Sequence, residues 1–133
     1  MVCMHCGGST RVVNSRSQHK NNQVWRRRQC EKCQAIFTTI EAADYSANWL
    51  VADSNRQLST FNPDKLFLSL YNSLQHRKTA IADARAIANT VTAKLRPGVK
   101  AGVLDAKTIT GAVQVALNRF DKVASVHFAA LHR

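Results

Sequence analysis

Two Cys-x-x-Cys pairs, Cys3/Cys6 and Cys30/Cys33, constrain the N-terminal part of the chain more than any other feature. Two residues between thiols let one tight turn bring both sulfurs to a single ion, and a second such turn completes the tetrahedral set that zinc prefers. The intervening stretch, residues 7–29, has 23 residues. That is slightly longer than usual for such sites, and a ribbon accommodates it by lengthening its hairpin. The same stretch holds six Arg or Lys residues and no Asp or Glu, the outline of a zinc ribbon that meets nucleic acid.

Other uses of the cysteines fit less well. Disulfides need an oxidising compartment. The opening Met-Val-Cys-Met-His-Cys has no basic segment, apolar stretch or cleavage site of a secretory leader, so a cytoplasmic location is expected. A redox dithiol needs one Cys-x-x-Cys at a helix start in a βαβ setting, which nothing here predicts. A four-thiolate iron site of the rubredoxin kind fits the spacing and stays open, although the basic loop suits phosphate better than a redox partner. His5, between two candidate ligands, reads as a bystander.

With 133 residues, a net charge of +11 and 45% hydrophobic residues, the chain has room for a metal-stapled module and one further small domain. The charge biases partners toward polyanions. No apolar run approaches the roughly 18 residues of a spanning helix, so no membrane partner is expected.

The organisation changes near residue 45. Before it, Thr10–Val13, Gln23–Gln29 and Ala35–Thr39 read as short strands, with Asn14–Asn22 as a turn-rich connection. After a polar stretch, Glu41 to Asn48, the runs Trp49–Ala52 and Leu58–Phe61 predict a hairpin around Asp53-Ser54-Asn55-Arg56. The remainder reads as helical. Asn62-Pro63 is a cap followed by proline at the first helical position, and Leu66, Phe67, Leu70 and Leu74 recur on one face. A second helix presents Ile81, Ala84, Ile87, Ala88, Val91 and Leu95, then stops at Arg96-Pro97-Gly98. A third opens near Asp105 with Ile109, Val113, Ala116, Leu117 and Phe120, and a last segment carries Val123, Val126 and Leu131; these stripes read as core. The fold class is α+β, with short antiparallel strands around zinc followed by a mostly helical domain with a β-hairpin.

Arg11, Arg16, Arg26, Arg27 and Arg28 are the candidate contacts to nucleic acid. On a strand, Arg26 and Arg28 share one face and Arg27 takes the other. A merely solvated surface would mix charge signs, and this run does not. Arginine both positions on phosphates and reads guanine, and the sequence alone does not divide those roles. Trp25 beside the run is a half-buried hairpin residue or a stacking surface.

Several segments together closely resemble the NrdR family, bacterial repressors of ribonucleotide reductase genes. They are Cys3-Met4-His5-Cys6, Thr10-Arg11-Val12-Val13-Asn14-Ser15-Arg16, Arg26-Arg27-Arg28-Gln29-Cys30-Glu31-Lys32-Cys33, Phe37-Thr38-Thr39-Ile40-Glu41, Phe61-Asn62-Pro63-Asp64-Lys65-Leu66 and Asp121-Lys122-Val123-Ala124. The resemblance implies a zinc-ribbon DNA-binding domain over residues 1–45 and an ATP-cone-like domain over 46–133 that binds nucleotide and oligomerises. It implies Zn2+, ATP or dATP as a regulatory ligand with Mg2+, double-stranded DNA, adenine nucleotides and further copies of the chain as partners. The nucleotide-binding positions it implies are Val51, Ser54, Asn55, Arg56, Lys65, His76 and Arg77. No Gly-x-x-x-x-Gly-Lys-Ser/Thr cradle occurs, so binding would rest on scattered cations and hairpin backbone donors.

This chain departs from the family pattern at several places. Trp25 stands where a fourth consecutive arginine is usual, and Asp53 where a lysine is expected near phosphates. His76 replaces the lysine of a Lys-Arg pair, and Ser125 and His132 stand where tyrosines are common. A carboxylate at position 53 repels a triphosphate unless it turns away or holds magnesium. The expected function is a zinc-dependent, nucleotide-regulated transcriptional repressor, not an enzyme, since no nucleophile–base pair or paired carboxylates stand out. The alternatives are a DNA-binding protein whose cone-like domain only oligomerises, and an iron-ribbon accessory subunit of a nucleotide-metabolising enzyme.

Overall fold

A long antiparallel hairpin joins the two cysteine pairs. In the computed structural model, which describes residues 1–132, β1 (Thr10–Gln18) pairs with β2 (Gln23–Cys30), and β2 pairs with β3 (Ile36–Ala42), giving a sheet of order β1-β2-β3. The expected turn over Asn14–Asn22 is mostly strand. Its polar Asn, Ser and Arg residues are compatible with β structure because both faces of the sheet meet solvent, and only His19–Asn22 remains to reverse the chain. Asn22 takes a left-handed conformation there, at φ 51°, with its amide donating to the His19 carbonyl. The ladder is irregular between Val12, opposite Arg28, and Asn14, opposite Arg27, which leaves Val13 as a one-residue bulge.

The break between two compact units falls between Ala43 and Asp44. The N-terminal unit buries only Cys3 and Cys30 and has no aliphatic core. A module of that kind needs a metal or a disulfide to fold.

The second unit starts with α1 (Tyr45–Asn48), a single turn within the stretch read as polar and irregular, capped by the Asp44 carboxylate accepting from Ala47 N. Tyr45 then meets Trp49 and Phe61, with ring centroids 4.5 Å and 6.5 Å away. The expected hairpin forms as β4 (Leu50–Ala52) and β5 (Leu58–Thr60). A third strand, β6 (Val103–Asp105), pairs in parallel with the other edge of β4.

All the helices but the last largely follow the apolar periodicity. α2 (Pro63–Leu74) starts at Asn62, whose side chain accepts from Asp64 N and Lys65 N. α3 (Ala80–Leu95) ends in the short 3-10 turn Arg96–Gly98, and α4 (Ala106–Phe120) leads through Asp121 to α5 (Lys122–Leu131). Leu70, Leu74, Val91, Leu95, Leu104, Val113 and Leu117 form the centre of the core. On α5 the inward residues are Ala124, Ser125 and Phe128, while Val123, Val126 and Leu131 point to solvent. Ile81 and Phe120 are also exposed. Small residues let α5 lie close to its neighbours, so its most apolar stripe is not its buried one. No helix of the described residues is long and apolar enough to cross a membrane.

Candidate metal centre and nucleic-acid interface

The two cysteine pairs sit in matching turns. The Gly7 amide donates to the Cys3 carbonyl and the Gln34 amide to the Cys30 carbonyl, while Cys3 N reaches Gly8 O and Cys30 N reaches Ala35 O. Gly7 and Gln34, each following the second cysteine of its pair, are both left-handed, at φ 79° and 64°. Gly8 lies where the turns meet, and a Cβ there would come within 3.0 Å of Lys32 Cβ and 3.3 Å of Cys30 Sγ. The four sulfurs lie within 4.8 Å of one another, with Cys3–Cys33 at 3.8 Å and Cys6–Cys30 at 3.5 Å. Zn–S bonds of about 2.3 Å in a tetrahedron require sulfur–sulfur edges of about 3.8 Å. The donor set therefore fits zinc.

Backbone amides prepare these sulfurs as thiolates. The Cys33 and Lys32 amides hold the Cys30 thiol down at about 6, and the His5 amide lowers that of Cys3. The Gly8 amide pulls Cys6 the same way, but its contacts with Cys30 and Cys33 outweigh this and push it up to about 11. Crowded sulfurs without a cation cannot all ionise, and a divalent metal removes that conflict.

Strand register sorts the arginines. Arg11 pairs with Gln29, Asn14 with Arg27 and Arg16 with Trp25, while Thr38 and Ile40 lie opposite Arg27 and Trp25 on the other side. Arg11, Arg16, Trp25 and Arg27 therefore share one face. In a regular strand Arg11 and Arg16, an odd number of residues apart, would point to opposite sides, and the bulge at Val13 brings them together. No acidic residue lies on this face. Arg26 and Arg28 occupy the other face. Arg26 donates to Ser15 Oγ (2.8 Å) and lies 3.7 Å from Glu41, and Arg28 Nε donates to Thr39 Oγ1 (3.2 Å). The structure thus unites three of the five candidate arginines and turns two toward partners within the sheet.

In the second unit a cavity of about 250 Å³ opens between β4, β5, α2, α4 and the end of α5. Val51 and Lys65 line it, with Asn62, Thr110, Phe128 and His132 among the other walls. Ser54, Asn55, Arg56, His76 and Arg77 do not. Arg56 instead pairs with Asp105 at 3.0 Å. His76 and Arg77 both reach Asp121, at 2.9 and 3.0 Å, and Arg77 also reaches Asp83 at 2.8 Å.

Residues 1–41 match the family model described as "Transcriptional repressor NrdR-like, N-terminal domain". Over its whole length the chain is 31% identical to the transcriptional repressor NrdR of Latilactobacillus sakei subsp. sakei (strain 23K), covering 84% of that protein. The NrdR of Streptococcus gordonii (strain Challis) is likewise 31% identical with 84% covered, and that of Streptococcus pneumoniae (strain Hungary19A-6) is 29% identical. The chain belongs to the NrdR family.

Two of the departures of this NrdR-family chain acquire a structural meaning. Asp53 is engaged in its own turn, its Oδ1 accepting from Asn55 N (2.8 Å) and Gln57 N (2.9 Å), and it is not part of the cavity wall. His132 stacks on Phe128 with centroids 4.0 Å apart and so supplies an aromatic wall. The sequence reading missed Asn62, Thr110 and Phe128 as cavity residues. They come from three separate helical segments, and only the Asn62 cap carried a local signal.

Proposed function

We propose that this chain is a zinc-dependent transcriptional repressor that holds one zinc through Cys3, Cys6, Cys30 and Cys33 and binds operator DNA with the sheet face carrying Arg11, Arg16 and Arg27. The observation that carries this reading is the gathering of those arginines on one uncovered face free of carboxylates. Arg26 and Arg28 support the sheet from behind through Ser15, Glu41 and Thr39. Zinc organises the turns and takes no part in contacting DNA. The family resemblance supports ribonucleotide reductase genes as the targets.

The second unit, residues 46–133 in this reading, binds an adenine nucleotide, ATP or dATP, and its occupancy changes the assembly of the chain and hence DNA affinity. The cavity offers Lys65 for phosphate and His132 and Phe128 as aromatic walls. Its size suits a nucleoside with phosphates projecting from the mouth. The exposed Val123, Val126 and Leu131 give α5 an apolar face for contact between copies. A second reading, in which this unit only oligomerises, is favoured by one observation: His76 and Arg77 are committed to Asp121 and Asp83.

Titration of the zinc-loaded chain with duplex operator DNA, with and without ATP or dATP in magnesium, tests both halves. Nucleotide-dependent affinity with a matching change in native mass supports regulation, since a ligand shifts assembly only by binding one state more tightly. DNA binding with no heat of nucleotide binding at millimolar concentration leaves the oligomerisation-only reading. No duplex binding removes the repressor reading.

A further inference from the structure

We infer that Trp25 is a base-stacking subsite, and that the arginine face binds single-stranded DNA by taking an unpaired base onto the indole. The inference rests on the arginine face proposed for operator binding and extends it to a second form of nucleic acid. Trp25 is 42% exposed at the centre of that face. Its cross-strand partners are Arg16 on β1 and Ile40 on β3, and Arg27 follows two residues along β2. Cross-strand partners stand about 5 Å apart and same-face neighbours along a strand about 7 Å, so Trp25 has one cation as its neighbour across the ladder and another along its own strand.

The indole is held without being used. Its Nε1 donates to Gln23 Oε1 at 3.1 Å, which satisfies the polar edge and fixes the ring. Among the described residues of the N-terminal unit, the one aromatic pair is His5 with Phe37, and no cation lies over the Trp25 ring. Ile40 opposite is itself exposed, and the unit has no aliphatic core for the ring to cover.

Trp25 lines a shallow depression together with Asn14, Ser15, Arg16, Arg26, Arg27 and Thr38. An exposed aromatic flanked by cations is a stacking platform for single strands, because every base offers a π-face and the adjacent backbone offers phosphate. An intact duplex hides its base faces, so this subsite requires an unpaired base.

The test uses the full zinc-loaded chain carrying Trp49→Phe, which leaves Trp25 as the remaining tryptophan, titrated with oligothymidylate and with a duplex of equal length. Oligothymidylate should quench Trp25 fluorescence more than the duplex does. Trp25→Ala should weaken single-strand binding roughly ten- to a hundredfold, the usual effect of losing one stacked base. Trp25→Phe should retain much of it, and Trp25→Arg should keep duplex binding while losing the single strand. Zinc content and circular dichroism of each variant show that the ribbon is folded. Duplex binding with no quenching by oligothymidylate, or with equal quenching by both, overturns the stacking subsite and leaves the repressor reading standing. Loss of binding to both overturns both proposals.

Discussion

Arg16 and Trp25 face each other across the β1–β2 ladder on the side of Arg27, and the one-residue bulge at Val13 brings Arg11 to that same side. Arg26 lies between Trp25 and Arg27 in sequence yet projects from the opposite face, tied to Ser15 and near Glu41.

This division predicts different phenotypes for neighbouring arginines. Arg27→Ala should weaken duplex binding on every sequence and reduce the log–log salt slope by about one, the effect of one lost phosphate contact. Arg28→Ala should leave the slope unchanged and lower the thermal stability of the ribbon, since Thr39 loses its donor. Titrations at several salt concentrations, paired with melting curves, separate the two; equal slope changes for both variants would contradict the assignment.

The bulge can be probed by changing chain length. Deleting Val13 makes the ladder regular without moving Arg11 or Arg16, so duplex binding should persist. Inserting an alanine between Asn14 and Ser15 adds one residue to the strand and should turn Arg16 to the other face, or force a second bulge, with loss of affinity. The measurement is duplex affinity of the two variants, each with its zinc content verified.

Cys30→Ser removes a sulfur that two amides hold in its ionised form. The variant should lose its zinc and the N-terminal sheet, while the helical unit continues to melt cooperatively on its own core. Elemental analysis and far-ultraviolet dichroism report the two effects separately. A variant with full metal content would rule out Cys30 as a ligand.

Asp121 should dominate the acid response of the helical unit. Its carboxylate accepts from His76, from the Ala124 amide at the start of α5 and from Arg77, and these hold it well below the usual carboxylate range. A depressed folded value means that the stabilisation is complete above the unfolded value of about 3.9 and is lost as pH falls below it. Asp83, lowered by Thr79 and then Arg77, acts in the same direction. Melting temperatures of the helical unit should therefore drop on acidification through that region, and Asp121→Asn should be less stable at neutral pH with a shallower acid dependence. An unchanged profile would show that the cluster contributes nothing to folding.

The features legible in the sequence are those set by neighbours along the chain. The Asn62-Pro63 start of α2 and the Cys-x-x-Cys turns each complete within a few residues. β6 was invisible because three residues carry little pattern and its partner, β4, lies some fifty positions earlier. The inward face of α5 is not legible from hydrophobicity, which favours Val123, Val126 and Leu131, because Ala124 and Ser125 pack by being small. The arginine face was half legible: alternation separated Arg27 from Arg26 and Arg28, but the face of Arg11 depends on a bulge with no signature of its own. The cavity draws on segments whose meeting is a tertiary event.

The N-terminal sheet buries two cysteines and no aliphatic side chain. Heat-capacity change on unfolding scales with apolar surface exposed, so this unit should unfold with very little of it, and its stability curve against temperature should be nearly straight. Its equilibrium also moves with the logarithm of free zinc concentration. The helical unit, with a packed apolar core, has the ordinary curved dependence on temperature. The two parts of the chain therefore differ in the shape of their temperature dependence, and the chemical potential of a metal enters the stability of the N-terminal one.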